Sequence, residues 1–262
     1  MNSNPQDGTS VKKYGLALHT ASRELGLAIS NFAGDSRCQT WNLDRDLATH
    51  LHQYLVEFIQ PQTWADLAFI AVAKGPGGFT GTRMGMVTAR TLAQQLDIPV
   101  FAVSTLAAVA WAAPPQPPLG KGGLLNTEPP LAKGGLLNTE PPQPPLAKGG
   151  LLSAEPPLAK GGFLSVALQM PAQRGQLFGA VYSVNKDSGL TELFPDTVMT
   201  AESWHEKLES LESSYQLIEV GSELGWSVSS VLELAYLEWK QGIRPDWSDA
   251  LPFYGQHPVK GH

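Results

Sequence analysis

Cysteine is nearly absent from this chain: Cys38 is the only one in 262 residues. An internal disulfide and a cysteine-built zinc site are both excluded, and a reducing, cytoplasmic setting is expected. Basic residues are in deficit, with 18 Lys and Arg against 24 Asp and Glu and a formal net charge of -6. The chain therefore has no overall basic footprint for direct nucleic-acid binding. No apolar run approaches the ~18 residues of a bilayer span, so no membrane is expected as a partner. Met1 to Lys13 is polar and has no signal-peptide core, and residues 1–13 are expected to form a flexible tail. Histidine is sparse too. None of the six completes H-E-x-x-H, since His205-Glu206-Lys207-Leu208-Glu209 ends in glutamate. No catalytic constellation, metal site or cofactor is expected.

Proline and glycine are abundant, at 21 and 26, but unevenly spread. Residues 114–164 form a repeat. The unit Pro117 to Glu128 returns as Pro129 to Glu140, again as Pro144 to Glu155, and in part as Pro156 to Leu164. The period is too short for common helical solenoids. Pro-Pro favours polyproline II and Lys-Gly-Gly a flexible turn. The tract, set at residues 113–162, is expected to be a disordered or loosely turned insertion, with a proline-rich docking motif as the rival reading. It divides an N-terminal lobe over 14–112 from a smaller C-terminal lobe over 163–262.

The most informative stretch is Ala73-Lys-Gly-Pro-Gly-Gly-Phe-Thr-Gly-Thr-Arg-Met-Gly85. The run Leu67 to Ala73 before it is short and apolar and predicts a buried strand. The run after it has helical spacing from about Thr82 to Leu96. A glycine-rich turn from a strand into a helix either cradles a phosphate or lets another backbone come close. The candidate residues are Gly75, Gly77, Gly78, Thr80, Gly81 and Arg83. The turn lacks a Walker lysine, and Thr80 breaks G-x-G-x-x-G.

Around this turn the pattern predicts strands at 14–20, 25–32 and 36–41, a helix over 46–59 with Leu47, Leu51, Leu55, Phe58 and Ile59 on one face, a strand at 100–103, and a helix over 106–112 capped by Ser104. Gly85, Ala89 and Ala93 recur every fourth residue, which brings a neighbour close. That neighbour is this protein's own sheet or a helix of another chain. Beyond the repeats, strands are expected at 163–170, 176–184 and 215–220 and helices at 202–211 and 228–240. His19 ends the first strand, where a metal-binding fold would want a hard oxygen donor. Cys38 is expected to pack rather than react.

Leu16-Ala-Leu-His-Thr-Ala21, Gly75-Pro-Gly-Gly-Phe-Thr-Gly-Thr-Arg-Met-Gly85, Leu96-Asp-Ile-Pro-Val100 and Val103-Ser-Thr-Leu-Ala107 together resemble the TsaB/YeaZ family. The resemblance implies an α/β, two-lobed actin-like (ribonuclease-H-like) fold with the Pro/Gly-rich repeat insertion between the lobes. It implies a non-catalytic dimerisation subunit that supports a TsaD-type catalytic subunit, with a TsaE-type ATPase in the complex. That complex transfers threonylcarbamoyl to N6 of adenosine 37 in tRNAs reading codons that begin with A, and tRNA is met only through it. A homodimer in the absence of the partner is left open. The implied interface lies on the helices at 46–59 and 82–96, through Leu51, Leu55, Gly85, Met86, Ala89 and Ala93. Several family positions differ. His19 stands for an aspartate, Gly78 for a serine, Pro171 for the aspartate that opens the second-lobe motif, and Phe253-Tyr-Gly255 lacks an arginine. A diverged paralogue or a phosphotransferase with another partner is the alternative.

Overall fold

The computed structural model describes residues 13–113, 164–186, 189–211, 213–253 and 255. The expected repeat insertion and N-terminal tail, apart from Lys13 and Ala113, lie outside them.

The first half contains β1 (Tyr14–His19), β2 (Glu24–Ser30), β3 (Ser36–Asn42), α1 (Leu47–Ile59), β4 (Leu67–Ala73), α2 (Phe79–Leu96), β5 (Val100–Val103) and α3 (Thr105–Ala112). The second half contains β6 (Leu164–Pro171), β7 (Leu177–Asn185), β8 (Gly189–Met199), α4 (Ala201–Glu209), β9 (Tyr215–Glu219) and α5 (Val228–Lys240). These strands build a five-stranded sheet in the order β3-β2-β1-β4-β5 and a four-stranded sheet in the order β8-β7-β6-β9. In each, an antiparallel three-strand meander is extended by a parallel strand that a helix delivers. The second sheet thus repeats the plan of the first, one strand shorter.

The first sheet is buried on both faces, as its near-continuous apolar strands require. Leu16, Leu18, Ile70 and Val72 point one way and join Leu51, Leu55, Met86, Ala89 and Ala93 of α1 and α2. Ala17, Phe69, Ala71 and Phe101 alternate to the other face and meet Val228, Val231, Leu232 and Ala235 of α5. The second sheet packs Val166, Leu168 and Tyr182 against Leu106, Ala110 and Trp111 of α3. Trp204 of α4 covers its other face and lies against Gly179, where a Cβ would sit 2.6 Å from the indole.

Two sequence expectations change here. The lobes are not divided at the insertion: α3, from the first half, lies on the second sheet, and α5, from the second half, covers the first. Trp247 and Ala250 also return to the first-lobe core. Between the sheets α3 and α5 are joined by Trp111 Nε1, which donates to Glu233 Oε2 at 2.6 Å. The second change is β8, an edge strand that the spacing did not predict. Its residues are half-buried or exposed, and it carries Pro195, which an edge tolerates because no outer ladder needs its missing N–H.

Edge strand β3 is tied to α1 by Arg37. Its Nη2 donates to the carbonyls of Phe58, Ile59 and Gln60 at 2.8–3.0 Å, the last turn of the helix. Those carbonyls have no partner within the helix, and a cation there also complements the helix dipole. Arg37→Ala should lower stability by about 1–2 kcal/mol in urea denaturation, with the m-value unchanged.

Candidate functional site

The glycine turn leaves β4 at Lys74 and becomes α2 at Phe79, three residues earlier than spacing predicts, with Gly78 as the N-cap and no side-chain cap bond. Thr80, Gly81 and Arg83 are therefore helical residues rather than loop residues. The turn is pressed onto the link between β1 and β2. Gly78 N–H donates to Ala21 O at 2.7 Å, and Thr20 Oγ1 donates to Gly81 O at 2.8 Å. A Cβ on Gly77 would fall 2.1 Å from Ala21 O, one on Gly81 2.1 Å from Thr20 O, and one on Gly85 2.1 Å from Thr20 Oγ1. The glycines serve close backbone approach, the second of the two uses open to such a turn. Gly77 is required for space. Gly75 is the residue with positive φ, at 98°, and its carbonyl accepts the Thr105 N–H at 2.8 Å. Gly81→Ala should cost on the order of 1–3 kcal/mol, because the obstruction is backbone that cannot swing aside, and a thermal melt would register it.

His19, beside this turn, is fully buried, and neither ring nitrogen has a hydrogen-bond partner. Burial disfavours the imidazolium and pulls the pKa from 6.5 to about 4. The ring is neutral at ordinary pH and a poor ligand for a magnesium-bound phosphate. Because the folded pKa lies below the unfolded one, the unfolded chain binds the extra proton between them. His19 therefore leaves stability untouched above pH 6.5 and lowers it as pH falls towards 4. A His19→Leu variant should lack this acid loss, gaining about 3 kcal/mol on the parent between pH 7 and 4 when the two are compared by urea denaturation. Among the described residues, no group of three or more His, Cys, Asp or Glu side chains could hold a metal ion.

The six residues expected at a partner interface are placed elsewhere. Leu51, Leu55, Gly85, Met86, Ala89 and Ala93 are all buried in the chain itself, and Ala89 is 0% exposed. The small-residue stripe lets α2 lie close to its own sheet, so Gly85, Ala89 and Ala93 face that sheet rather than solvent. Ala89→Glu would bury a charge in the core and unfold the isolated chain.

Turning the small residues inward turns large ones outward. Phe79, Arg83, Val87 and Thr91 form one row on α2, and Thr80, Met84, Thr88 and Leu92 the next. With Leu55, Val56 and Trp64 across from them, they line an apolar groove of about 620 Å³ between α1 and α2. Phe79, Val87 and Val56 are 57%, 62% and 53% exposed. The Arg83 guanidinium lies 5.1 Å over the Phe79 ring. Of the sequence candidates, only Thr80, Arg83 and Leu55 reach this groove, Leu55 as its floor. Phe79 and Val87 were missed, although a signal existed: they fall eight apart, two turns of one row on the helix face opposite the small residues.

A family model described as TsaD, tRNA N6-adenosine threonylcarbamoyltransferase, matches residues 55–121, about a quarter of the chain. Two curated relatives are both called tRNA threonylcarbamoyladenosine biosynthesis protein TsaB. The one from Bacillus subtilis is 58% identical over 45 residues, 17% of this chain and 20% of the relative. The one from Buchnera aphidicola is 45% identical over 51 residues, 20% of this chain and 24% of the relative. The chain thus aligns with only about a fifth of the length of these relatives. Two solved structures match over nearly their full length. One is an uncharacterized protein with similarity to peptidase YeaZ from Pseudomonas aeruginosa, with a TM-score of 0.62, 18% identity, and coverage of 93% of this chain and 99% of the other. The other is YeaZ from Pseudomonas aeruginosa, with a TM-score of 0.60, 18% identity, and coverage of 92% and 99%. Over these short stretches of sequence, and in fold over nearly its whole length, the chain is similar to TsaB/YeaZ proteins. The structural likeness establishes the mixed α/β, two-sheet fold for the chain outside the short stretches of sequence identity. Among the described residues, no helix is long and apolar enough to cross a membrane.

Proposed function

We propose that this chain is a dimerisation and scaffold subunit, with a two-lobed actin-like fold, acting in the cytoplasm beside a TsaD-type catalytic subunit. In this reading the pair transfers threonylcarbamoyl to N6 of adenosine 37 of tRNA, a TsaE-type ATPase serves the complex, and this chain meets tRNA only within it. The observation that carries the reading is the α1–α2 groove. A helix that presents Phe79, Met84, Val87 and Leu92 outward while burying glycine and alanine is built to pack twice: once on its own sheet and once on a partner. The names of the relatives and the TsaD-type family match supply the partner's class. The neutral, buried His19 and a glycine turn spent on internal contacts support a supporting rather than a catalytic role.

Partner contacts of this kind concentrate in a few large side chains near the centre of the patch. Val87→Glu and Phe79→Asp should each weaken the complex with the same organism's TsaD-type protein at least 30-fold, or about 2 kcal/mol. Both residues are exposed in the isolated chain, so its melting temperature should move by no more than ~3 °C. Titration of the variants by calorimetry checks this. Wild-type affinity in both variants would remove the groove from the interface.

A further inference from the structure

A second junction lies beside the glycine turn, where Phe253 and Gly255 touch both lobes. On the first lobe, Phe253 N–H donates to Lys74 O at 2.7 Å, just past the end of β4. Gly75 lies so close that a Cβ there would sit 2.9 Å from Phe253 O. On the second lobe, the Phe253 ring meets Phe178 of β7 edge-on at 6.3 Å. Gly255, with φ of 62°, lies against Phe178 and Val198, where a Cβ would sit 2.5 and 2.6 Å from their side chains. Gly75 of the first lobe and Gly255 of the segment itself thus leave the room this packing needs.

Beside it is a polar cluster drawn from both lobes. Tyr182 O–H donates to Asp196 Oδ1 at 2.8 Å and lies 3.3 Å from Ser104 Oγ, the N-cap of α3. The Lys74 ammonium is near enough to both Asp196 and Glu238 to favour their charged forms, while burial pushes both carboxyls up. The same residue, Lys74, carries the backbone carbonyl that holds Phe253.

We propose that Phe253 and Gly255 act as a cis clasp that holds the two lobes together beside the glycine turn. This role differs from that of a terminal tail resting on the surface, because each lobe is anchored through a different residue of the same short segment.

Backbone amide exchange, followed residue by residue on the full chain by NMR, tests it. Two variants attack different anchors. Phe253→Ala removes the aromatic contact with the second lobe. Gly255→Val forces a side chain into Phe178 and Val198 at a backbone torsion that valine avoids. The clasp predicts that both variants speed exchange at least tenfold on both lobes, at Lys74, whose N–H is bonded to Val103 O in the first, and at the Phe178–Val198 strand pair in the second. Amides of α1 and α2 should keep their rates. Acceleration confined to one lobe, or none, overturns the proposal by making the segment a passive tail. Acceleration throughout the chain overturns it by making the segment part of the core.

Discussion

The contact of α2 and its leading turn with Thr20 and Ala21 is the constraint on which the rest of the structure depends. Gly77, Gly81 and Gly85 fall four apart, and each stands where a single added carbon would collide with Thr20 or Ala21. Ala89 and Ala93 continue the row onto the sheet. A helix can approach a sheet this closely only along a row of small side chains, and the approach leaves no freedom in how α2 is rotated. Once the small row is turned in, Phe79 and Val87 have nowhere to go but out. The outward groove is thus a geometric consequence of the inward contact.

The glycine turn has a second side, and it organises the two lobes. The Gly75 carbonyl receives the Thr105 N–H and so fixes the start of α3, the helix that crosses to the second sheet. In exchange α5 crosses back to the first. Each lobe is completed by a helix belonging to the other half of the chain, and Trp111 joins the two crossing helices through Glu233. Neither half can bury its own apolar surface alone. The packing that unites the two halves passes through α3 and α5.

Much of this was legible from residue spacing. The limits of β4 and β5, the apolar face of α1, the Ser104 cap and the extent of α5 follow from apolar period, turn residues and capping chemistry, all of which are local. What failed was non-local. β8 was missed because an edge strand half-covered on each face has no strong alternation, and Pro195 argues against a strand unless its edge position is known. The ownership of α3 and α5 depends on which sheet each meets, which no local pattern encodes. The direction of the Gly85-Ala89-Ala93 row was open for the same reason: a small-residue stripe specifies a close neighbour without identifying it. The start of α2 was misplaced because glycines, which usually interrupt a helix, here lie inside its first two turns and are tolerated for the space they leave.

Glycine density beside a strand and a helix N-terminus invites a phosphate-binding interpretation, and the way each glycine is used bears on it. Gly77, Gly81 and Gly85 are accounted for by Thr20 and Ala21, Gly75 by its torsion and by Phe253, and the Gly78 N–H by the Ala21 carbonyl. Every glycine of the motif is explained by a contact within the chain. A ligand would have to displace one of those contacts to use the same backbone. His19, neutral and enclosed at the end of β1, adds no charge that would favour the exchange. The outer face of α2 is the reverse case. Phe79, under the Arg83 guanidinium, and Val87 are each more than half exposed, and the hydrophobic effect works against leaving such apolar surface in water. The internal contacts explain the motif, and this exposed apolar surface is what the proposed partner would cover.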